Sequence, residues 1–113
     1  MFPDISLLIL TLVEWVDDGC PTLGNKVVGV YKETSFKTCV RCCSNDGKTC
    51  STPYKCYRKE NWMTYNDATS KCKESGMRLC TRYELKDGVC CRNGGGGDSF
   101  PVWTSSPWTS VGI

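Results

Sequence analysis

Ten cysteines in a chain of 113 residues, with no histidine, constrain this sequence more than any other feature. Cysteine at about nine per hundred residues in a short chain reads as a disulfide scaffold rather than an ordinary apolar core. Nine of the ten (Cys39, Cys42, Cys43, Cys50, Cys56, Cys72, Cys80, Cys90 and Cys91) fall between positions 39 and 91, and only Cys20 lies outside. The even total lets every thiol pair. The absence of histidine removes the Ser-His and Cys-His arrangements of nucleophilic catalysis, the commonest general base, and mixed Cys/His zinc sites. A chain of this kind is expected to be held in shape outside the cell and to bind rather than catalyse.

At 12.6 kDa there is room for one domain and a tail. So small a domain buries little apolar surface. Disulfides, each contributing about 2–4 kcal/mol chiefly by restricting the unfolded chain, offset that deficit. Residues 1–20 carry Asp4, Glu14, Asp17 and Asp18 with no base, while the remainder sets all 14 Lys and Arg against eight acids, a net of +6. That excess favours anionic glycans or membrane surfaces but is too diffuse for nucleic acid, which is not expected as a partner.

Ile5 to Val13 (ISLLILTLV) is an apolar run long enough for a signal-peptide core and too short to span a bilayer. Its flanks lack the basic start and the small-residue cleavage site of such a peptide. Ile5, Leu8, Ile9, Leu12, Val13 and Val16 also fit a helical stripe. The organisation expected is therefore a signal peptide or apolar segment over 1–19, a cysteine-rich module over 20–106, and a tail over 107–113.

Within the module, Val27–Tyr31 and Thr38–Cys43 read as strands, and Asn45-Asp46-Gly47 as a hairpin-type turn. Ser51–Asn61, interrupted by Pro53, reads as loop. Thr64 caps a helix that runs to Gly76 with Tyr65, Ala68 and Cys72 on its inward face. Met77–Cys80 is an extended link. Thr81-x-x-Glu84 is a capping box opening a second, shorter helix that stops at Gly88. Gly94–Gly97 reads as a mobile surface loop and Pro101–Ser105 as a last strand. The vicinal pairs Cys42-Cys43 and Cys90-Cys91 are expected to face opposite ways, each neighbour bonding a different partner and stapling sheet to helices.

Few residues carry a case for chemistry. Cys39-x-x-Cys42 lacks the second well-spaced pair of a zinc site and the following helix of a redox motif, so structural disulfides are the expectation. Gly94–Gly97 lacks the Gly-Lys-Ser/Thr of a phosphate loop. Glu74, Glu84 and Asp87 form no distinctive carboxylate pair, and Glu84 has the capping-box role. No catalytic residue, metal or cofactor is expected. The binding candidates are Tyr54, Tyr57, Arg58 and Lys59, where rings interleaved with bases suit stacking on sugars and pairing with sulfate or carboxylate, with the glycine loop as a second wall. Trp62 and Trp103 are expected to fill the core.

The segment from Asn66 to Glu84, a short helix with alanine and cysteine one turn apart, then Gly76-Met77-Arg78-Leu79 and Thr81-x-x-Glu84-Leu85, resembles the first half of a C-type-lectin-like domain. More narrowly, Ala68, Cys72, Gly76 to Thr81, Glu84-Leu85, Cys90-Cys91 and Val102-Trp103-Thr104-Ser105 resemble a family of cysteine-rich extracellular modules from marine invertebrates and algae. Those modules share RLCT-x-x-EL, a vicinal cysteine pair and VWTS. The likeness reaches upstream to Val40-Arg41-Cys42-Cys43 and covers roughly residues 38 to 106. It implies an α+β, disulfide-rich domain with two short helices packed on a small antiparallel sheet, and recognition of a glycan or an extracellular protein. The calcium-binding long loop of sugar-binding C-type lectins, with its Glu-Pro-Asn or Gln-Pro-Asp and Trp-Asn-Asp strings, is absent, so calcium-dependent binding is not implied. Where that family is expected to carry a further cysteine in the glycine loop this chain has Gly95. Either Cys20 takes over the pairing role or one thiol stays free. The other readings are a secreted effector of toxin or protease-inhibitor type and a structural matrix module.

Overall fold

Val13–Asp18 forms the first strand, β1, in which buried Val16 and Asp18 alternate with half-buried Trp15 and Asp17. The computed structural model describes residues 13–23 and 29–106. They build a small α+β domain of two helices, two antiparallel sheets and five disulfides. In the first sheet β1 lies between β2 (Val30–Glu33) and β6 (Pro101–Trp103), with Trp15 opposite Tyr31 and Val16 opposite both Val30 and Trp103. In the second, β3 (Cys42–Cys43) lies between β4 (Cys50–Ser51) and β5 (Arg78–Leu79).

The boundary expected at residue 20 therefore shifts: residues 13–18 are the central strand of a sheet and belong to the folded domain. Val13 and Val16, which also fit a helical stripe, lie on a strand because β2 and β6 satisfy the backbone of β1 from both sides. The apolar run over residues 1–12, residues 27–28 of the expected Val27–Tyr31 strand, and the 107–113 tail lie outside the described residues. The strand expected over Thr38–Cys43 is regular only at Cys42–Cys43. Upstream, Thr38 bridges Met63 and Cys39 bridges Val102, because this segment is shared between neighbours on different sheets. Ser51–Asn61 is loop apart from its ends: Ser51 closes β4 and Lys59–Asn61 forms one 3-10 turn.

The helices follow their caps. Thr64 accepts the Asp67 amide and opens α1 (Tyr65–Glu74). Thr81 and Glu84 exchange both capping-box bonds and open α2 (Arg82–Lys86). Each helix closes in a Schellman motif: Gly76 N–H to Lys73 O with Met77 N–H to Cys72 O, and Gly88 N–H to Leu85 O with Val89 N–H to Glu84 O. Both glycines take left-handed φ, +70° and +84°. Ala68 and Cys72 of α1 are fully buried, with Tyr65 partly buried beside them.

Strand β6 divides the interior. Trp103 faces one cluster with Val16, Val40, Ala68 and Leu79, and its neighbour Val102 faces another with Leu85 and the sulfurs of Cys39, Cys43, Cys56, Cys80 and Cys90. Trp103 fills the core as expected, fully buried, its indole N–H donating to Met63 O at 2.9 Å. Trp62 is half-buried at the edge of the second cluster, donating to Cys56 O and meeting Phe100 edge to face. All ten cysteines pair: Cys20–Cys91, Cys39–Cys56, Cys42–Cys72, Cys43–Cys80 and Cys50–Cys90. The neighbours in each vicinal pair bond different partners, tying β3 to α1 and to the start of α2. Cys20 pairs, and no thiol is left free.

Candidate functional site

The residues named from the sequence as binding candidates lie on the loop between β4 and α1. Tyr54 and Tyr57 are 40% and 58% exposed, and Arg58 and Lys59 are also exposed. Each interacts mainly with its own surroundings. The Lys71 ammonium of α1 sits 4.9 Å from the Tyr54 ring centre; its pKa is raised by a hydrogen bond with that tyrosine and by Glu74. Lys55 lies over Tyr57 at 5.9 Å, and Lys59 over Trp62 at 5.8 Å. Arg58 makes a loose, exposed pair with Glu60 at 3.8 Å. The glycine loop stands beside this surface: Cys56 donates its amide to Gly95 O at 2.7 Å, and Gly96 passes so close to Tyr57 that an added Cβ would lie 3.1 Å from the ring.

Gly94–Gly97, expected as a mobile surface loop, packs against the interior on one side. It wraps the guanidinium of Arg41, a fully buried side chain. Arg41 donates to Gly19 O at 2.9 Å, Cys90 O at 2.6 Å, Gly94 O at 3.3 Å and Thr52 Oγ1 at 3.0 Å, and pairs with Asp98 at 2.9 Å. Gly94, Gly95 and Gly96 all take left-handed φ, which turns the chain around the cation. A Cβ on Gly97 would collide with the guanidinium itself. Burial lowers the Arg41 pKa, and Asp98 opposes that shift. Sequence reasoning missed Arg41; the signal was a cation inside Val40-Arg41-Cys42-Cys43, a segment otherwise too apolar to face water.

A second surface was also not read from the sequence. On the outer side of the first sheet, Trp15, Asp17, Pro21, Gly29, Arg82 and Lys86 line a cleft of about 330 Å³. β1 supplies the floor, the 3-10 turn Pro21–Leu23 one wall and α2 the other. Trp15 meets its cross-strand partner Tyr31 edge to face at 4.8 Å. Its indole N–H donates to Asp17 Oδ2 at 2.7 Å, and Asp17 Oδ1 accepts the Asp18 amide at 2.8 Å, so this carboxylate is engaged at both oxygens. The Arg82 guanidinium lies 4.9 Å from the Trp15 ring centre and 5.6 Å from that of Tyr83. Neither Arg82 nor Lys86 forms an ion pair with a carboxylate among the described residues. Two cations beside an aromatic platform suit a ligand with a flat apolar face and a negative group. Two larger clefts lie elsewhere, one of about 440 Å³ lined by Thr69, Lys73, Met77 and Arg78 and one of about 430 Å³ lined by Val13, Tyr31, Lys32 and Phe36. None of Tyr54, Tyr57, Arg58 and Lys59 lines any of the three.

No helix among the described residues is long and apolar enough to cross a membrane. Comparison of the chain with protein-family models, with curated proteins and with solved structures finds no match.

Proposed function

We propose that this chain is a non-catalytic, calcium-independent recognition module of the extracellular space, binding an acidic glycan in the Trp15–Arg82 cleft. The observation that carries the reading is the cleft itself: an indole beside two cations, Arg82 and Lys86, that are unpaired with carboxylates among the described residues. A sugar ring offers the flat C–H face that stacks on an indole, and its carboxylate or sulfate is the anion that guanidinium and ammonium groups select. Five disulfides in so small a domain fit an oxidising compartment. The resemblance to C-type-lectin-like modules is consistent with this role, and the missing calcium loop makes the site independent of that ion.

A second reading rests on Tyr57, which is 58% exposed on a loop tied down by Cys39–Cys56 and by the Cys56–Gly95 hydrogen bond. An anchored loop presenting one large side chain is the form of a secreted effector that blocks a target protein, and Tyr54, Arg58 and Lys59 would flank its contact.

Arrays of carboxylated and sulfated glycans, probed with the secreted protein in the presence of EDTA, separate the readings. Binding that survives the chelator and is lost in Trp15→Ala and Arg82→Ala, but not in Tyr57→Ala/Arg58→Ala, supports the cleft. The converse pattern moves the site to the loop. Absence of any retained acidic glycan refutes the glycan reading.

A further inference from the structure

The sulfurs of Cys43, Cys50, Cys80 and Cys90 all lie within 4.8 Å of one another. They belong to the adjacent disulfides Cys43–Cys80 and Cys50–Cys90. Between the bridges, Cys80 and Cys90 are 3.4 Å apart, Cys43 and Cys90 3.9 Å, and Cys50 and Cys80 4.0 Å. The second sheet creates this grouping. Cys43 and Cys50 are direct cross-strand partners on β3 and β4, Cys80 follows β5 on the other side of β3, and Cys90 follows α2. Four zinc–sulfur bonds of about 2.3 Å in tetrahedral array place sulfurs about 3.8 Å apart. Three of the four contacts between bridges are within about 0.4 Å of that spacing, and the fourth, Cys43–Cys50, is no longer than 4.8 Å. The two bonded edges must open from about 2.0 to about 3.8 Å while the Cys43–Cys50 edge settles to the same spacing, changes within reach of cysteine side-chain rotation. Cys43, Cys80 and Cys90 are fully buried and Cys50 is half-buried, so the cluster is dry with one exposed corner for entry.

We propose that these four cysteines are a latent tetrathiolate site for zinc or another soft divalent cation, filled when both disulfides are reduced. Each bridge takes up two electrons and two protons and yields two thiols: a thiol reductant supplies both and leaves as its disulfide, whereas a phosphine supplies the electrons, water the protons, and the phosphine leaves as its oxide. The metal then displaces four protons as four sulfur–metal bonds form. The reduced chain keeps the crossing of β3, β4, β5 and the end of α2, now pinned by a metal in place of two bridges. The spacing Cys43-x6-Cys50 and Cys80-x9-Cys90 conceals such a site from sequence reading, because neither pair has the short knuckle spacing. This inference does not depend on the glycan reading.

The test reduces the full-length chain with a phosphine under anaerobic conditions and adds cobalt or zinc alone. One equivalent of cobalt with the visible absorption of tetrahedral tetrathiolate coordination is expected, displaced by zinc. Alkylation of the zinc-loaded chain followed by mass mapping locates the ligands without any variant: Cys43, Cys50, Cys80 and Cys90 are protected at least tenfold relative to Cys20, Cys39, Cys42, Cys56, Cys72 and Cys91. Cys39→Ser/Cys56→Ser retains the cobalt spectrum, and Cys43→Ser/Cys80→Ser loses it. Failure to take up cobalt with four sulfur ligands, or protection of a different set of cysteines, overturns the proposal.

Discussion

Replacing Arg41 with methionine tests whether one buried cation organises the glycine loop. The substitution keeps an unbranched chain of similar length and removes every donor. Gly19 O and Cys90 O lose their Arg41 donor at buried residues, at about 1–3 kcal/mol each. Gly94 O is on an exposed residue and is recovered by water. Asp98 loses its ion pair with Arg41 while its other oxygen keeps the Arg92 amide, and breaking a buried ion pair costs about 3–5 kcal/mol. These costs overlap, and the Asp98 side chain is 21% exposed, so water relieves part of its isolation. The net expectation is about 3–5 kcal/mol, a large share of the stability of a small domain. Urea unfolding with the disulfides intact reads it directly: for a slope of about 1.5 kcal/mol per M the midpoint falls by roughly 2–3 M. Hydrogen exchange adds the location, since the Cys56 amide, bonded to Gly95 O, loses protection ahead of α1. In Arg41→Met/Asp98→Asn about 1–2 kcal/mol of the loss returns, because the charge no longer balanced by Arg41 is gone. A midpoint within about 0.5 M of the parent would refute the reasoning and mark the guanidinium as incidental to the loop.

Three further outcomes follow from the same geometry. A chain beginning at residue 20 lacks β1, and its circular dichroism and exchange protection are expected to show no native first sheet; native protection in β2 and β6 would count against the assigned role of residues 13–18. Glu84 accepts both Arg78 bonds at 2.7 Å and the Thr81 amide, which hold its pKa below the usual carboxylate value. Its stabilising contribution is present above the unfolded-state pKa and lost as pH falls through the lower folded value. Glu84→Gln costs about 1 kcal/mol near neutrality, with the difference vanishing in acid melts. Glu14, beside Lys32 with Tyr31 and Tyr65 near it, has its pKa raised by burial. The stability linked to its proton is full below the unfolded pKa and lost as pH rises through the folded one, so Glu14→Gln melts higher at neutral pH and converges with the parent in acid.

The helices were legible because their signals are local. Thr64, the Thr81–Glu84 box, Gly76 and Gly88 act within a few residues, and the structure places starts and stops where those residues put them. The opposite facing of neighbouring cysteines also follows from backbone alternation. What escaped was non-local. β1 reads as the end of an apolar run because its partners lie about 15 and 85 residues downstream in sequence. The glycine loop reads as mobile until Arg41, some fifty residues away, is seen inside it. Trp15 and Arg82, sixty-seven positions apart, show no joint pattern, so their cleft appears only when α2 is laid against β1. The loop of Tyr54, Tyr57, Arg58 and Lys59 was found as an exposed aromatic and basic surface, but its concavity could not be judged from composition.

The Cys20–Cys91 bridge has a mechanical consequence. When the chain is pulled from its two ends, tension crosses that bond and bypasses a loop of 71 residues. Unbridged, those residues would extend by roughly 240 Å at about 3.4 Å each. If that bond alone is reduced, Cys90, the neighbour of Cys91, is still joined to Cys50 and keeps a 40-residue loop out of the load path. Everything between Cys20 and Cys91 is therefore nearly inextensible under tension, leaving β1 and β6 to bear the load outside the bridge, with a length reserve released in steps by reduction rather than by force.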